Sequence, residues 1–311
     1  MNSPGLFEAS PSTSALALPD ASFDAARVPV DQRVQLGSDA HKVLFCGMLL
    51  TSFDPYRPAV IDWPKLGDDA RTRLMQLPIW DIAVQTEGRA RLDVASYAEL
   101  VRDPLLKRAI QLDAFEEGRH KHVLSNLVRA YGITLAPEPE YQWPRDPEWA
   151  FLRTGYSECI DSFFAFGLFE AAKRSGYFPM HLVQTFEPVI QEEARHILFF
   201  VNWSAWHRRN LPWWGRIRFL IKILAVWSFL IWERIGIARD IGHGKQDNNF
   251  TIAGSKDFDV DLGVFDLVNI CLAENDRRLG QYDHRLLKPR VIPTLARAFM
   301  RIFARRQAQT H

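Results

Sequence analysis

The sequence predicts an all-α protein: a bundle of four long helices with additional helices at the C-terminal end. Three observations lead there. Apolar residues recur at helical spacing through the middle of the chain, prolines and glycines cut that region into four long segments, and no segment sustains the two-residue alternation of a strand. Three regions follow: 1–77, an N-terminal lead-in that is partly disordered; 78–210, the four-helix core; and 211–311, C-terminal helices packing on the core.

The elements can be justified in order. The first 31 residues are rich in Ser, Pro and Ala, which suits a poorly ordered start, and they lack the basic and continuous apolar regions of a signal peptide. Pro78 supplies a first-turn proline for a helix from about Ile79 to Val101. Asp103-Pro104 begins a second, which ends near Tyr131-Gly132 with the glycine as C-cap. The proline-rich ITLAPEPEYQWPRDP is long enough to run the length of a bundle. Asp146-Pro147 opens a third helix that stops around Ser175-Gly176, and Pro179 opens a fourth that ends near Asn210. A tryptophan-rich fifth helix follows Pro212, a sixth spans about Asp261 to Leu287, and a short basic one runs from Ile292 to Arg306.

Composition narrows the function classes. A formal net charge of +1 over 311 residues gives no electrostatic reason to expect nucleic acid as a partner. Cys46, Cys159 and Cys271 are far apart, which suggests neither a disulfide framework nor a zinc site and fits a reducing cytoplasm. The fifth helix is strongly apolar, but Lys222 interrupts it; from Ile223 to Trp232 it is about half of what spans a bilayer. It reads either as a core helix closing the bundle or as a peripheral membrane-surface element, with Trp213, Trp214, Arg216, Arg218 and Lys222 suited to an interface. The last helix has the same character, with Leu295, Phe299, Ile302 and Phe303 on one side and Arg297, Arg301, Arg305 and Arg306 elsewhere. That end suits docking on the protein itself or on an acidic carrier protein.

The chemistry lies in a doubled word. Glu117-Gly118-Arg119-His120 and Glu193-Ala194-Arg195-His196 are both Glu-x-x-His, and each follows another glutamate, Glu116 or Glu192. Residues three apart share a helix face, so each word aims a carboxylate and an imidazole at one point. Helical phase adds a carboxylate from each of the other two long helices. Glu87 is the lone charge on the stripe of Trp80, Ala83, Val84, Ala90 and Val94, and Glu158 stands on that of Phe151, Gly155, Ser162, Ala165 and Phe169. Unpaired buried carboxylates cost several kcal/mol each, so four at one level make physical sense only with metal. Carboxylates and imidazoles without thiolates suit Fe or Mn.

The segments EEGRH and EEARH resemble the paired helix motifs of ferritin-like di-iron carboxylate oxidoreductases, and most closely those of the soluble acyl-carrier-protein desaturases. The resemblance covers roughly Ile79 to Asn210. It implies a ferritin-like bundle in which Glu87, Glu117, His120, Glu158, Glu193 and His196 hold two iron ions, a mixed Mn/Fe pair being compatible with the same ligands. It also implies that Glu192 holds the imidazole of His120 and Glu116 that of His196, with Arg119 and Arg195 neutralising those outer acids. The separations of 30, 41 and 35 residues between Glu87, Glu117, Glu158 and Glu193 match the family's habit.

Two departures narrow the subtype. Leu124 stands where radical-bearing ribonucleotide reductase subunits have a tyrosine, and Val189 where arylamine N-oxygenases carry an extra histidine. Ser162 and Asp161 are the candidates for proton delivery. Glu170 is an alternative third-helix ligand, although Arg174 offers it an ion pair at i+4. Asp113 shares a face with Glu117 and suits either an outer role or a helix N-terminal charge.

The implied activity is that of an O2-activating oxygenase or desaturase on a hydrophobic substrate such as an acyl chain or aromatic compound, free or carrier-bound. Phe163, Phe164, Phe166, Phe199 and Phe200 are candidates for its pocket, unless they are simply core. An external electron donor (a ferredoxin or reductase) and homodimerisation belong to the same expectation. The alternative is a ferroxidase or peroxide-scavenging protein without an organic substrate.

Overall fold

The structure, a computed structural model, describes residues 28–77, 79–241 and 263–307, with side chains of 236–241 and 303–307 excepted. Pro78, the first 27 residues and the side chains of Phe303, Arg305 and Arg306, each given a role above, lie outside the described residues. The described residues are all-α, with no strand among them.

Caps set the helix boundaries where the sequence places its punctuation. The Asp103 carboxylate accepts from the Leu106 N–H at 2.9 Å to start α4 (Pro104–Tyr131), after α3 (Trp80–Leu100). Gly132 ends α4 at φ +70°, a conformation that favours glycine, and lets Ile133 N–H reach the Val128 carbonyl at 2.9 Å. Asp146 caps α5 (Pro147–Ser175) through Trp149 N–H, and Gly176 closes it at φ +64°.

Contacts along the crossover fix the topology. The three-residue link 101–103 makes α3 and α4 antiparallel neighbours. Beyond α4, Ala136 N–H donates to Asp81 at the start of α3, and Tyr141 lies against Gly88, two turns on. The connection therefore runs up α3 and delivers α5 beside its far half, where Arg153 and Thr154 both reach Asp93. So α5 is antiparallel to α3 and parallel to α4. Further along, Gly155 meets Phe200 and Ser162 meets Glu193, which makes the last long helix, α7 (Glu187–Asn210), antiparallel to α5.

Three features differ from the expectation. The fourth helix is broken into α6 (Met180–Thr185) and α7, because Pro188 has no N–H to continue the ladder and forces a restart at Phe186. The sixth helix, here α9 (Val264–Gly280), stops seven residues short of Leu287. The Asn202 side chain takes both backbone groups of Leu287, its oxygen accepting at 2.8 Å and its amide donating at 2.9 Å, so that backbone needs no helix. Finally, the segment before the core contains α1 (Asp39–Thr51) and α2 (Asp68–Gln76), where a partly disordered lead-in is expected from the sequence. Helix α1 packs on α7, with Phe45 edge-on to Phe199 and His41 Nε2 bonded to Asn202 at 3.0 Å.

After α7 come α8 (Trp213–Ile241), which packs on α5, then α9 on α5 and α7, and α10 (Val291–Gln307) on α9. No helix of the described residues is long and apolar enough to cross a membrane. One end of the bundle is closed by aromatic rings: Trp203 stands edge-on to Phe151 (4.6 Å between centroids) and Tyr97 (5.1 Å), which stack on each other. Gly155 is required there, because a Cβ would enter the Phe200 ring. Gly155→Ala should cost about 1–3 kcal/mol through overpacking and lower the Tm by several degrees in a thermal melt. An unchanged Tm would contradict the packing described.

Candidate metal centre

Helices α4 and α7 present their Glu-x-x-His words to each other across the bundle interior. One donor atom from each of Glu117, His120, Glu193 and His196 lies within 4.8 Å of all the others, a cluster that could hold a metal ion. The rings of His120 and His196 are 5.5 Å apart. Each His turns Nδ1 inward, toward the carboxylate of the other word: His120 is 3.1 Å from Glu193, and His196 is 2.8 Å from Glu117. Glu87 on α3 comes within 3.6 Å of His120 Nδ1, and Asp113 on α4 within 3.6 Å of His196 Nδ1. Glu158 on α5 is close enough to the carboxylates of Glu117, Glu193 and Asp113 for their charges to disfavour its own ionisation.

The outward ring nitrogens are held crosswise. His120 Nε2 meets Glu192 at 2.8 Å, and His196 Nε2 meets Glu116 at 2.8 Å, so each acid that precedes one word orients the imidazole of the other. Arg119 donates to Glu192 at 2.5 Å and Arg195 to Glu116 at 2.6 Å, all four groups being almost fully buried. Those arginines are themselves tied down by the N-terminal segment. Arg119 donates to the Asp54 carbonyl at 2.6 Å and lies 4.0 Å from the Tyr56 ring centroid. Arg195 reaches the Leu49 carbonyl and Ser52 hydroxyl at 3.4 Å. Tyr56 also donates to Glu192 at 3.3 Å.

The inner shell is left open by comparison. His120 Nδ1, His196 Nδ1, Glu117 Oε1, Glu158 Oε1 and Asp113 Oδ1 are all buried without a well-aligned hydrogen bond, the histidines facing Glu193 and Glu117 only as ion pairs. Native interiors seldom leave such atoms unpaired, and five converging on one point are explained if they are ligands. The donor set is oxygen-rich with two imidazoles and no thiolate, a chemistry that could hold a metal ion such as iron or manganese.

Electrostatics agree with the geometry. Burial and then the Glu87 carboxylate push Glu117 well above the usual carboxylate range; burial and then Glu117 do the same to Glu158. Burial raises Asp113 to about 6. Burial alone would lower both histidines, but the facing carboxylates outweigh it and raise them well above 6.5. Glu116 is held below its ordinary range, because His196, Arg195 and Arg119 outweigh burial.

Other sequence candidates find different surroundings. Ser162 is buried and its hydroxyl donates to Glu193 at 3.4 Å. Asp161 is not brought into the cluster: Arg234 on α8 meets both its oxygens at 2.9 Å, and Ser157 donates to one of them. Glu170 pairs with Arg174 at 2.8 Å. A cavity of about 580 Å³ adjoins the cluster, touching Glu87, Glu117, His120, Glu158 and Glu193. Its apolar wall includes Trp80, Leu124, Leu168, Phe169, Phe186 and Ile190. None of Phe163, Phe164, Phe166, Phe199 and Phe200 lines it. On α5 the cavity side carries 158, 162, 165 and 169, which turns Phe163 and Phe166 away from it, and Phe199 and Phe200 are core.

The chain matches no family model, no characterised protein and no solved structure to which it was compared.

A pH dependence follows from the raised groups. In the metal-free chain Asp113, Glu117 and Glu158 keep protons to higher pH than in the unfolded chain. Their contribution to stability is complete at low pH and is lost as pH rises, for Asp113 between its ordinary 3.8 and about 6. The histidines act in the same direction above 6.5. Metal must displace these protons. The Tm increase on adding Mn(II) should therefore be larger at pH 8 than at pH 5.5; an equal or smaller increase at pH 8 would speak against these residues as ligands.

Proposed function

We propose that the chain is a ferritin-like, O2-activating di-iron oxidoreductase, an oxygenase or desaturase of a hydrophobic organic substrate. The observation that supports this best is the set of five buried donor atoms that converge beside an apolar cavity without a well-aligned hydrogen bond. The ligands proposed are Glu87, Glu117, His120, Glu158, Glu193 and His196, with Asp113 a seventh donor on the His196 side. When bound, an iron pair of this kind supplies the redox chemistry that activates O2.

The residues divide the remaining work. Glu192 and Glu116 fix the orientation of His120 and His196, so that Nδ1 of each is presented inward without a rotamer search. Arg119 and Arg195 pair with those outer acids in a dry interior. The apolar cavity wall binds substrate and excludes water from the centre. Ser162, bonded to Glu193 and lining the cavity, is the group proposed to pass a proton between the two; Asp161 is left out of that role because Arg234 and Ser157 engage it. The reading includes a separate electron donor, a ferredoxin or reductase.

Two measurements test it. Protein loaded anaerobically with Fe(II) and then mixed with oxygenated buffer should consume O2, faster when a long-chain alkanoate or alkylaromatic fills the cavity. Inertness toward O2 would sink the proposal, and catalytic turnover of excess Fe(II) into a ferric pool would replace it with the ferroxidase reading. In the second, Glu158→Ala should no longer bind two irons per chain, while Glu170→Ala should; the reverse outcome would move the α5 ligand to Glu170.

A further inference from the structure

Helix α8 has two faces with different surroundings. The inner one is accounted for: Phe219, Val226 and Leu230 are buried, Trp227 packs on Tyr156, and Lys222 and Arg234 pair with acids of the α5 segment. The outer one is apolar and open. Trp213, Ile217, Ile221, Leu224, Trp232 and Ile235 are between 46% and 74% exposed, and no described residue covers them. At 3.6 residues per turn they fall within a sector of roughly 100°, so they form a single stripe about 33 Å long. Arg216 and Arg218, both exposed, stand on its two shoulders, roughly 100° to either side.

We propose that this face docks, in the plane of the surface, on a lipid bilayer. The apolar stripe would enter the boundary between headgroups and acyl chains, and Arg218 would extend its guanidinium group to the phosphates, that of Arg216 being held by the Leu211 and Arg209 carbonyls. Tryptophans near both ends suit that boundary, since the indole is apolar with one polar edge. A second copy of the chain fits the face less well. A stripe ~33 Å long and ~10 Å wide offers about 330 Å² per chain, well below the roughly 800 Å² per partner of a stable dimer. No helix of the described residues is long and apolar enough to cross a membrane, which leaves docking in the plane of the surface.

The docking face also adjoins the cavity. Leu230, Glu233 and Arg234 line the cavity from the same turns that project Ile231 and Trp232 outward, and Glu233 is exposed. If the cavity is the substrate site, which rests on the function proposed above, docking sets its α8 wall against the lipid. The substrate class is then one that partitions from the bilayer, such as a free long-chain lipid.

Flotation of the full-length protein with vesicles tests the docking. The protein should float with phosphatidylcholine vesicles and more strongly when phosphatidylglycerol is added. The Ile221→Glu/Leu224→Glu double variant should bind both by roughly tenfold less or weaker, with its Tm and iron stoichiometry unchanged. Arg218→Glu should remove only the gain from the anionic lipid. Failure of the unaltered protein to float with either vesicle would overturn the proposal. So would a concentration-dependent dimer that the double variant converts to monomer, because it would show that the stripe is covered by a second copy. Iron stoichiometry measured on the same samples separates the two claims. Flotation lost with two irons retained refutes docking alone, and the converse refutes the di-iron reading alone.

Discussion

The structure depends on one electrostatic constraint: acids and imidazoles that would each be unfavourable alone are buried together between α4 and α7. Each word supplies what the other lacks. Glu116 holds His196, Glu192 holds His120, Arg119 neutralises Glu192 and Arg195 neutralises Glu116. These straps join two helices that otherwise touch little. Removing one partner of such a buried pair typically costs about 3–5 kcal/mol, because the other charge is left uncompensated. The outer ring of charge is satisfied by well-aligned hydrogen bonds, and the inner ring is not, an arrangement that could hold a metal ion.

That constraint explains features remote from the donor atoms. The N-terminal segment is not incidental: Leu49, Ser52, Asp54 and Tyr56 fix the two arginines from outside. Helix α1 is in turn locked to α7 through His41 and Asn202, and Asn202 also captures the Leu287 backbone. On the opposite side, α5 presents Glu158 and Ser162 to the centre while Asp161, one residue away, turns to Arg234 of α8. One helix thus serves the centre with one face and anchors the C-terminal addition with the next.

Much of this was legible in the sequence because it rests on periodicity and punctuation. Asp-Pro pairs opened α4 and α5, Gly132 and Gly176 closed them, and the phase of four stripes singled out Glu87, Glu117, Glu158 and Glu193. What escaped has physical causes. Tyr56 and the Leu49 and Asp54 carbonyls act through tertiary contact from a segment with no motif, and no local pattern marks them. The break at Pro188 was visible as a proline, yet Pro179 was read as the single start. Asp113 was seen to share a face with Glu117, but its burial beside His196 follows only from the packing of α7. The phenylalanines of α5 and α7 failed as pocket residues because an aromatic run at helical spacing has a core side and a cavity side, and composition does not say which is which.

The most direct test of the central claim is anomalous X-ray scattering from crystals of the protein grown with Fe(II) or Mn(II). Two peaks roughly 3.5–4 Å apart, each within bonding distance of one histidine Nδ1 and of at least one of Glu117 and Glu193, are the predicted result. No peak, or metal bound only away from His120 and His196, would contradict the account.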